Sequence, residues 1–347
     1  MSSRTATLML LALGAATANV SAQAVVLSEF VNAHAPYPAS HASTIAEVSP
    51  RRLVAAWFGG SGEGNPDVAI WFATRVDGRW TEAIKVATGS QANGTRFPTW
   101  NPVLFKAPHG PLFLFYKVGP SPSQWWGMVM SSTDAGRSWS APSRLPDGIL
   151  GPIKNKPVVL PDGTWLSGSS TEAMPAGWRV HFELSRDQGR TWKSVGPIDK
   201  GTGFEAIQPT MLLVDGKIEA LCRTKQGVIA ATWSSDGGRT WTSLAATELL
   251  NPNSGIDAVT LADGRQLLVY NHSADGNRYP LDVAISRAGL KWEHVLTLES
   301  EPRPAGYAYP AVIQTSDGLV HITYTWDRKL IKYVVIDPRM LPDSGRR

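Results

Sequence analysis

Polar side chains suited to acid–base chemistry or anion binding stand directly before apolar, β-rich runs of the sequence. Four such clusters occur, in "RFPTWNPVLF", "GPSPSQWWG", "GPIKNKP" and "NPNSGIDAV". They contain these candidate ligand-binding residues: Arg96, Trp100, Asn101, Trp125, Trp126, Lys154, Asn155, Lys156, Asn253 and Asp257. Because similar clusters recur before successive strands, they predict one pocket to which several strands contribute.

The sequence contains no motif typical of a metal site or a phosphate-binding loop. The seven histidines show neither H-x-x-x-H nor H-E-x-x-H spacing, and no G-x-x-x-x-G-K-[ST] loop occurs. The single Cys222 excludes an internal disulfide framework and a cysteine-based zinc site. We therefore expect no cofactor and no metal.

A repeated turn shows which elements position these residues. "STDAGRSW", "SRDQGRTW" and "SSDGGRTW" are full copies, and "TRVDGRW" and "SRAGLKW" are shorter ones, so that tryptophans recur at 80, 139, 192, 241 and 292. A second series of D-G turns, at 162, 215, 263 and 317, keeps step with the first. A period near 50 residues with several short strands is the length of one four-stranded propeller blade.

Five marked periods and two C-terminal strands, "LVHITYTW" and "IKYVVID", predict six blades once an N-terminal strand completes the ring. In the repeated turn, Asp accepts backbone N–H bonds and Gly supplies a positive φ. The turns are therefore interpreted as structural links between strands. The expected fold is an all-β, six-bladed β-propeller forming a single domain over residues 25–347.

The N-terminal segment and the charge define the expected setting. An apolar run after Arg4 and small residues ending in "SAQA" indicate a signal peptide over residues 1–24. The run is too short for a membrane anchor, which needs about 20 residues. We expect a secreted or periplasmic monomer. A net charge of +4 with scattered basic residues argues against nucleic-acid binding, and the tryptophans suit a carbohydrate partner.

The motif S-x-D-x-G-x-[ST]-W is the Asp-box, and several copies in a six-bladed propeller resemble the sialidase (neuraminidase) superfamily. The resemblance extends from about residue 39 to 338. It implies a tyrosine nucleophile assisted by a glutamate, an aspartate as general acid, and three arginines that bind the substrate carboxylate. A neutral phenol suits an anionic substrate because a carboxylate nucleophile would be repelled.

Matching the residues one at a time gives the expected roles. Tyr307, in "YAYPAVIQTSDG", fits the spacing of the nucleophile better than Tyr309 does. Arg223 and Arg278 match the second and third arginines, whose guanidinium forks bind a carboxylate bidentately. For the assisting glutamate, Glu205 is preferred, although Gln208 stands nearer to the family's position.

The acid and the first arginine depart from the family pattern. "WFGGSGEGNPDVAIWFATR" offers Glu63, in a glycine-rich loop, and Asp67, just before a strand. Either carboxyl serves as an acid where burial raises its pKa, and Glu63 is preferred. His41 occupies the place of the first arginine in "SHASTIAEV", which leaves the identity of the sugar open.

The function that these matches imply is an exported exo-acting glycoside hydrolase that removes a terminal acidic sugar. One alternative is a polysaccharide lyase, with His41 as base and Tyr307 as acid, or a glycosidase for another sugar such as a uronate or rhamnose. A second alternative is a carbohydrate-binding propeller without catalysis.

Overall fold

The computed structural model describes residues 24–199, 201 and 203–342, and these residues form a ring of six antiparallel sheets. Most of the predicted signal peptide, residues 1–23, and the last residues, 343–347, lie outside the described residues. The first strand, β1, spans Val25–Phe30. The remaining strands fall into six blades that follow one another along the chain.

Blade 1 contains β2 (Ala39–Ser49), β3 (Arg52–Gly60), β4 (Ala69–Val76), β5 (Arg79–Trp80) and β6 (Ile84–Ala87). A separate hairpin of β7 (Gly89–Ser90) and β8 (Arg96–Phe97) follows it. Blade 2 contains β9 (Thr99–Lys106), β10 (Leu112–Val118), β11 (Trp126–Ser132) and β12 (Ser143–Arg144). Blade 3 contains β13 (Val158–Val159), β14 (Trp165–Thr171), β15 (Arg179–Ser185) and β16 (Lys193–Val195).

Blade 4 contains β17 (Ala206–Val214), β18 (Lys217–Thr224), β19 (Val228–Ser234) and β20 (Ala245–Leu250). Blade 5 contains β21 (Asp257–Thr260), β22 (Gln266–Tyr270), β23 (Leu281–Ser286) and β24 (Glu293–Glu299). Blade 6 contains β25 (Tyr307–Gln314), β26 (Val320–Trp326) and β27 (Leu330–Ile336). A short 3-10 helix, Pro338–Met340, ends the described chain.

The N-terminal strand closes the ring, as the sequence predicts. β1 pairs antiparallel with β27, with Leu27 opposite Val335 and Phe30 opposite Lys332. The fourth strand of blade 6 therefore comes from the other end of the chain. This closure ties the first and last parts of the chain together and covers the outer edge of β27.

Apolar side chains fill the spaces between neighbouring blades. Trp57 of blade 1 and Tyr333 of blade 6 are both 0% exposed and belong to one cluster. Cys222, which lies in β18, is buried in another cluster, formed by blades 3 and 4. This packing fixes each blade against the next, and so fixes the starts of the inner strands around the axis.

Antiparallel connectivity gives the ring two distinct faces. The Asp-box turns join the third strand of a blade to the fourth, and the D-G turns join the first strand to the second, so both lie at the same end, which we call the turn face. The inner strands begin at the opposite end, and the second strand is joined to the third there. This loop face carries the polar clusters of the sequence.

Candidate active site

Four inner strands begin with the same backbone irregularity. Ala42, Asn101, Gln208 and Tyr309 have φ values of 56°, 40°, 57° and 52°. The strand register shifts at each of these positions. A bulge of this kind breaks the ladder and re-aims one side chain, and proline, which cannot donate to a ladder, follows three of the four residues. The side chains of these residues meet neighbouring blades across the axis.

Tyr309 lies at the centre of this arrangement. Its hydroxyl oxygen accepts a hydrogen bond from Gln208 Nε2 at 2.9 Å and another from an Arg223 terminal nitrogen at 3.0 Å. Its ring centroid lies 4.3 Å from that of His41. Blades 1, 4 and 6 therefore meet at one phenol. Two donors directed at its oxygen, one of them charged, stabilise negative charge that develops there.

Arg223 contacts the hydroxyl of Tyr309, and the charges of Arg278 and Arg328 act on the same surroundings. Arg223 donates from Nε to Asn253 Oδ1 at 2.7 Å, and its guanidinium lies 5.1 Å from the Trp178 ring centroid. Arg278 is partly buried, and burial, with further contributions from the charges of Arg223 and Arg328, lowers its pKa to about 10. We call the surroundings of the Tyr309 hydroxyl, with Arg223, Arg278 and Arg328, the Tyr309 pocket.

Carboxylates are few in the Tyr309 pocket. Glu63 forms an ion pair with Arg328. Glu172, in the loop between β14 and β15, is partly buried, and burial raises the pKa of its carboxyl group; Arg223 and Glu63 also act on it electrostatically. Within the described ranges, no carboxylate lies within ion-pair distance of Arg223. The pocket therefore carries excess positive charge.

His41 is neutral in this surrounding. It is 2% exposed, its Nδ1 lies 2.9 Å from Thr325 Oγ1, and its buried Nε2 has no hydrogen-bond partner in the described structure. Burial lowers its pKa well below the usual value, and the charges of Arg328, Arg278 and other cations lower it further. His41 therefore carries no positive charge, although it stands at the position matched to the first arginine of the sialidases. Arg328, from the turn between β26 and β27, supplies a guanidinium in the same pocket.

Tyr307, the tyrosine preferred from sequence, does not lie in this pocket. It is 0% exposed, its hydroxyl donates to the Glu301 carbonyl at 2.8 Å, and its ring packs edge-on against Tyr324. Burial raises the pKa of its phenol. The bulge at Tyr309 separates the two tyrosines, so that Tyr307 enters the core between blades 5 and 6. The structure therefore places Tyr307 away from the arginines and Tyr309 beside them, and the identity of the nucleophile stays a prediction.

Glu205 and Asp67, two further residues predicted to be catalytic, each form hydrogen bonds with neighbouring residues of the protein. Glu205 is partly exposed and pairs with Lys225 at 2.7 Å, and this hydrogen bond lowers the pKa of its carboxyl group. Asp67 accepts hydrogen bonds from the backbone and hydroxyl of Ser61, and the hydroxyl bond lowers its pKa. A lowered pKa disfavours the proton that a general acid must hold. Gln208, not Glu205, contacts the hydroxyl of Tyr309.

The predicted residues near the axis mainly build the floor of the pocket. Lys154 is buried, donates to the carbonyls of Ile256 at 2.8 Å and Pro310 at 2.6 Å, and has a pKa lowered by burial to about 7. Lys156 pairs with Asp257 at 2.5 Å and lines, with it, a cavity of about 480 Å³ that opens at the turn face. These three residues therefore stabilise the axis instead of facing the substrate side.

The remaining predicted residues support the walls. Asn101 donates to the Ile153 carbonyl at 3.1 Å. Trp100 donates to the Gly119 carbonyl at 2.9 Å and packs edge-on against Trp125, with a ring-centroid distance of 6.0 Å. The exposed Arg96 donates to the Asp67 carbonyl at 3.2 Å. Of these contacts, the hydrogen bond from Arg96 reaches the end of the loop that carries Glu63.

Glu172, Trp178 and Arg328 are not predicted by the sequence matching, although a signal for them exists. All three lie in loops between the second and third strands: Glu172 and Trp178 fall between the D-G turn at 162 and the Asp-box that begins at 185, and Arg328 follows the D-G turn at 317. Searching those intervals on the loop face would have found them. The proline after Asn101, Gln208 and Tyr309 likewise marks the residues at the bulges.

Neither metal-binding clusters nor membrane-spanning helices emerge in the part of the chain that the structure describes. No group of three or more His, Cys, Asp or Glu side chains is arranged to hold a metal ion. Across the same residues, no helix has the length and apolarity needed to cross a bilayer.

Comparison with known proteins agrees with the architecture. Residues 51–322 match the BNR repeat-like domain family. No curated protein matches the chain significantly.

Several solved structures share the fold. A Dyadobacter fermentans protein of unknown function has a TM-score of 0.75 at 17% identity, covering 90% of this chain and 98% of its own. The NanB sialidase of Streptococcus pneumoniae has a TM-score of 0.72 at 13% identity, covering 92% and 71%. The intramolecular trans-sialidase of Ruminococcus gnavus has a TM-score of 0.72 at 15% identity, covering 93% and 99%. At these identities the likeness establishes the fold and confirms the sialidase-like resemblance at that level. The chain belongs to the BNR repeat-like domain family, as a six-bladed, sialidase-like β-propeller.

Proposed function

We propose that this protein is an exported exo-acting glycoside hydrolase that removes a terminal acidic sugar, with Tyr309 as nucleophile. The observation that carries the proposal is the Tyr309 phenol, whose oxygen accepts hydrogen bonds from Gln208 and Arg223, while the charges of Arg278 and Arg328 act on the same surroundings. An anionic sugar would neutralise this cluster and be oriented by it. Lys154 closes the axis beneath Tyr309, which suits a pocket for the end of a glycan chain.

The first chemical step is attack by the Tyr309 oxygen on the anomeric carbon. As this bond forms, the bond to the leaving-group oxygen breaks, and the phenol proton passes to a carboxylate. Glu63, paired with Arg328, is the proposed acceptor because it acts electrostatically on Arg278 and Glu172 in the same pocket. Gln208 cannot accept that proton, and it instead donates to the tyrosine oxygen.

Glu172 is the proposed general acid. Its raised pKa, caused by burial, favours the protonated form that the leaving oxygen needs. A water molecule then attacks the anomeric carbon and breaks its bond to the Tyr309 oxygen. Glu172 takes a proton back from that water, and the Tyr309 oxygen recovers its proton from Glu63. Two inversions at the anomeric carbon give net retention.

A panel of aryl glycosides tests the substrate class. We expect the purified protein to release the aryl group from sialic-acid, Kdo-type or uronic glycosides and not from a rhamnoside. Release from the neutral sugar alone would contradict the role of the arginines, and turnover of no glycoside would favour a binding propeller.

The role of Glu172 has its own test. Glu172→Gln should reduce kcat about 100-fold or more on a glycoside with a poor leaving group, because proton donation typically contributes about 10²- to 10⁴-fold. It should change turnover of a nitrophenyl glycoside far less. Activity of the unaltered protein should fall as pH rises through the raised pKa of Glu172, and the variant should lose that alkaline limb. Glu205→Gln, a control at a partly exposed carboxylate paired with Lys225, should behave as wild type. Equal losses of Glu172→Gln on both substrates would contradict the role of Glu172.

β-Elimination from a uronate is the second candidate. The neutral His41, with its unpartnered Nε2 and its ring against Tyr309, could take the proton next to the uronate carboxylate while Tyr309 protonates the leaving oxygen. Ultraviolet absorption by an unsaturated product during digestion of a polyuronate would identify this reaction. Its absence, together with glycoside hydrolysis, would leave the first proposal.

A further inference from the structure

A second pocket lies beside the Tyr309 pocket, where blades 5 and 6 meet. It has a volume of about 260 Å³ and is formed by residues 276–279, residues 303–306 and Arg328. Three of its lining side chains are arginines, namely Arg278, Arg303 and Arg328. We call it the three-arginine pocket.

The acids near this pocket do not balance its charge. Arg328 pairs with Glu63, but across the described ranges no carboxylate comes within ion-pair distance of Arg278 or Arg303. Asp327, whose pKa Arg303 influences electrostatically, is already bound by Lys329 at 2.7 Å and by the Ala305 N–H at 3.0 Å. In the described residues, two of the three arginines of this pocket therefore have no carboxylate counterion.

Arg303 is held in place by an aromatic ring. Its guanidinium carbon lies 3.8 Å from the centroid of the Trp326 ring. Trp326 packs edge-on against Phe30 of β1, with a centroid distance of 5.4 Å. A guanidinium fixed over a tryptophan loses less conformational freedom when it binds an anion than a free surface side chain would.

We propose that the three-arginine pocket binds an oxyanion, a sulfate ester or a carboxylate, on the sugar next to the one that Tyr309 attacks. This inference rests on the proposed function, because Arg278 and Arg328 adjoin both pockets. It deepens that function by assigning the substrate to glycans that carry charge on successive sugars.

The electrostatics of the shared arginines supports this assignment. Burial and neighbouring guanidinium groups make the charged form of Arg278 costly. One substrate anion in each pocket would offset the repulsion from both sides. Planar guanidinium forks also suit a sulfate or carboxylate better than lysines would, because they donate two parallel hydrogen bonds.

Methyl sulfate is the probe for the pocket, because it needs no knowledge of the natural glycan. Its binding can be followed at constant ionic strength through the indole N–H resonance of Trp326, assigned by the loss of that resonance in Trp326→Phe. We expect saturable shifts in the unaltered protein. Arg303→Gln should weaken binding about 10-fold or more, since hydrogen bonds to charged groups contribute about 1.5–3 kcal/mol.

Arg144→Gln is the matched control. Arg144 also lies over a tryptophan, 5.1 Å from the Trp126 ring centroid, but in a different blade. This variant should bind methyl sulfate as the unaltered protein does. The absence of saturable shifts in the unaltered protein, or equal affinity in Arg303→Gln, would overturn the proposal.

Two further experiments distinguish a sulfate from a carboxylate ligand, and distinguish failure of this proposal from failure of the proposed hydrolysis. Repeating the titration with acetate distinguishes a pocket that also accepts carboxylates from one that requires sulfate, and either result supports an oxyanion site. Tyr309→Phe should abolish turnover while methyl sulfate binding persists. Loss of turnover therefore tests hydrolysis, whereas loss of anion binding in Arg303→Gln tests the three-arginine pocket alone.

Discussion

At the turn face each full Asp-box carboxylate is saturated with hydrogen bonds, whereas at the loop face arginines gather without enough carboxylates. Asp187, for example, accepts from Ser185 Oγ, from Thr191 N and from Thr191 Oγ1, and these bonds, that of the Thr191 hydroxyl first, lower its pKa to about 2. Arg223 and Arg278 have no such carboxylate partner in the described structure. Satisfied polar groups stabilise a fold, and unsatisfied ones indicate where a ligand belongs.

The difference follows from repetition. At the turn face the same hydrogen bonds recur in several blades, since Asp134 and Asp236 make the same bonds as Asp187. The loop face presents a different residue in each blade, including Gln208 in blade 4 and Tyr309 in blade 6. We therefore expect changes at the loop face to affect activity and changes at the turn face to affect stability.

Arg223 gives the largest expected effect among the arginines. Arg223→Ala should lower kcat/KM about 10- to 100-fold or more, because it removes charge-assisted hydrogen bonds of about 1.5–3 kcal/mol from the substrate and from Tyr309. Arg223→Lys should recover little, since an ammonium group cannot donate as a planar fork. The exposed turn-face variant Arg239→Ala should keep full activity. Steady-state kinetics on all three variants measures kcat/KM. Full activity of Arg223→Ala would contradict the expected difference between the loop face and the turn face.

Glu219 is an exception at the turn face. The fifth turn lacks the Asp, and its Gly289 packs over Glu219, whereas the Gly136, Gly189 and Gly238 of the full copies pack over apolar side chains. Both Glu219 carboxyl oxygens are buried without a partner, and burial raises the pKa of the group to about 8. Ionisation at this site must therefore oppose folding.

The sign of the pH effect follows from that raised pKa. The folded form binds the proton more tightly than the unfolded form, so stability is fully present below about pH 4.5 and is lost as pH rises towards 8. The loss amounts to a few kcal/mol by linkage, at about 1.4 kcal/mol per pKa unit. Glu219→Gln should flatten the pH dependence of the free energy of unfolding, and the exposed Glu293→Gln should not. A steep dependence that survives in Glu219→Gln would assign the effect to another group.

The smallest effect is expected at the Asp-box. Asp187→Ala removes the acceptor for Thr191 and should lower the melting temperature by a few degrees, with kcat/KM unchanged. Thermal unfolding and kinetics on the same sample compare the two outcomes. A loss of activity without a loss of stability would assign the Asp-box a functional role.

Periodicity predicts the fold of this chain because strand turns repeat at the sequence level. The tryptophans of the Asp-boxes and the Asp–Gly pairs mark the blades without any knowledge of contacts, and they led to six blades and to closure by β1. Arg223 is matched by its distance from a D-G turn, and Arg278 by its place just ahead of an apolar strand.

Other site residues could not be predicted in this way, for local physical reasons. Tyr307 and Tyr309 differ by two positions, and only the bulge decides which one faces the axis. Lys154 stands in a polar cluster like a ligand-binding residue, yet the carbonyls of two neighbouring segments and the side chain of Asn155 hold it in the floor. Arg328, in blade 6, pairs with Glu63, in blade 1, because ring closure brings these distant parts of the chain together.

The most direct test of the account compares the two neighbouring tyrosines. Tyr309→Phe removes only the hydroxyl that Arg223 and Gln208 contact, and Tyr307→Phe removes one that is buried in the core. The account predicts that kcat/KM on the preferred glycoside falls about 10²-fold or more in Tyr309→Phe, as for loss of a group that takes part in bond making, and stays near wild type in Tyr307→Phe. Full activity of Tyr309→Phe would contradict it.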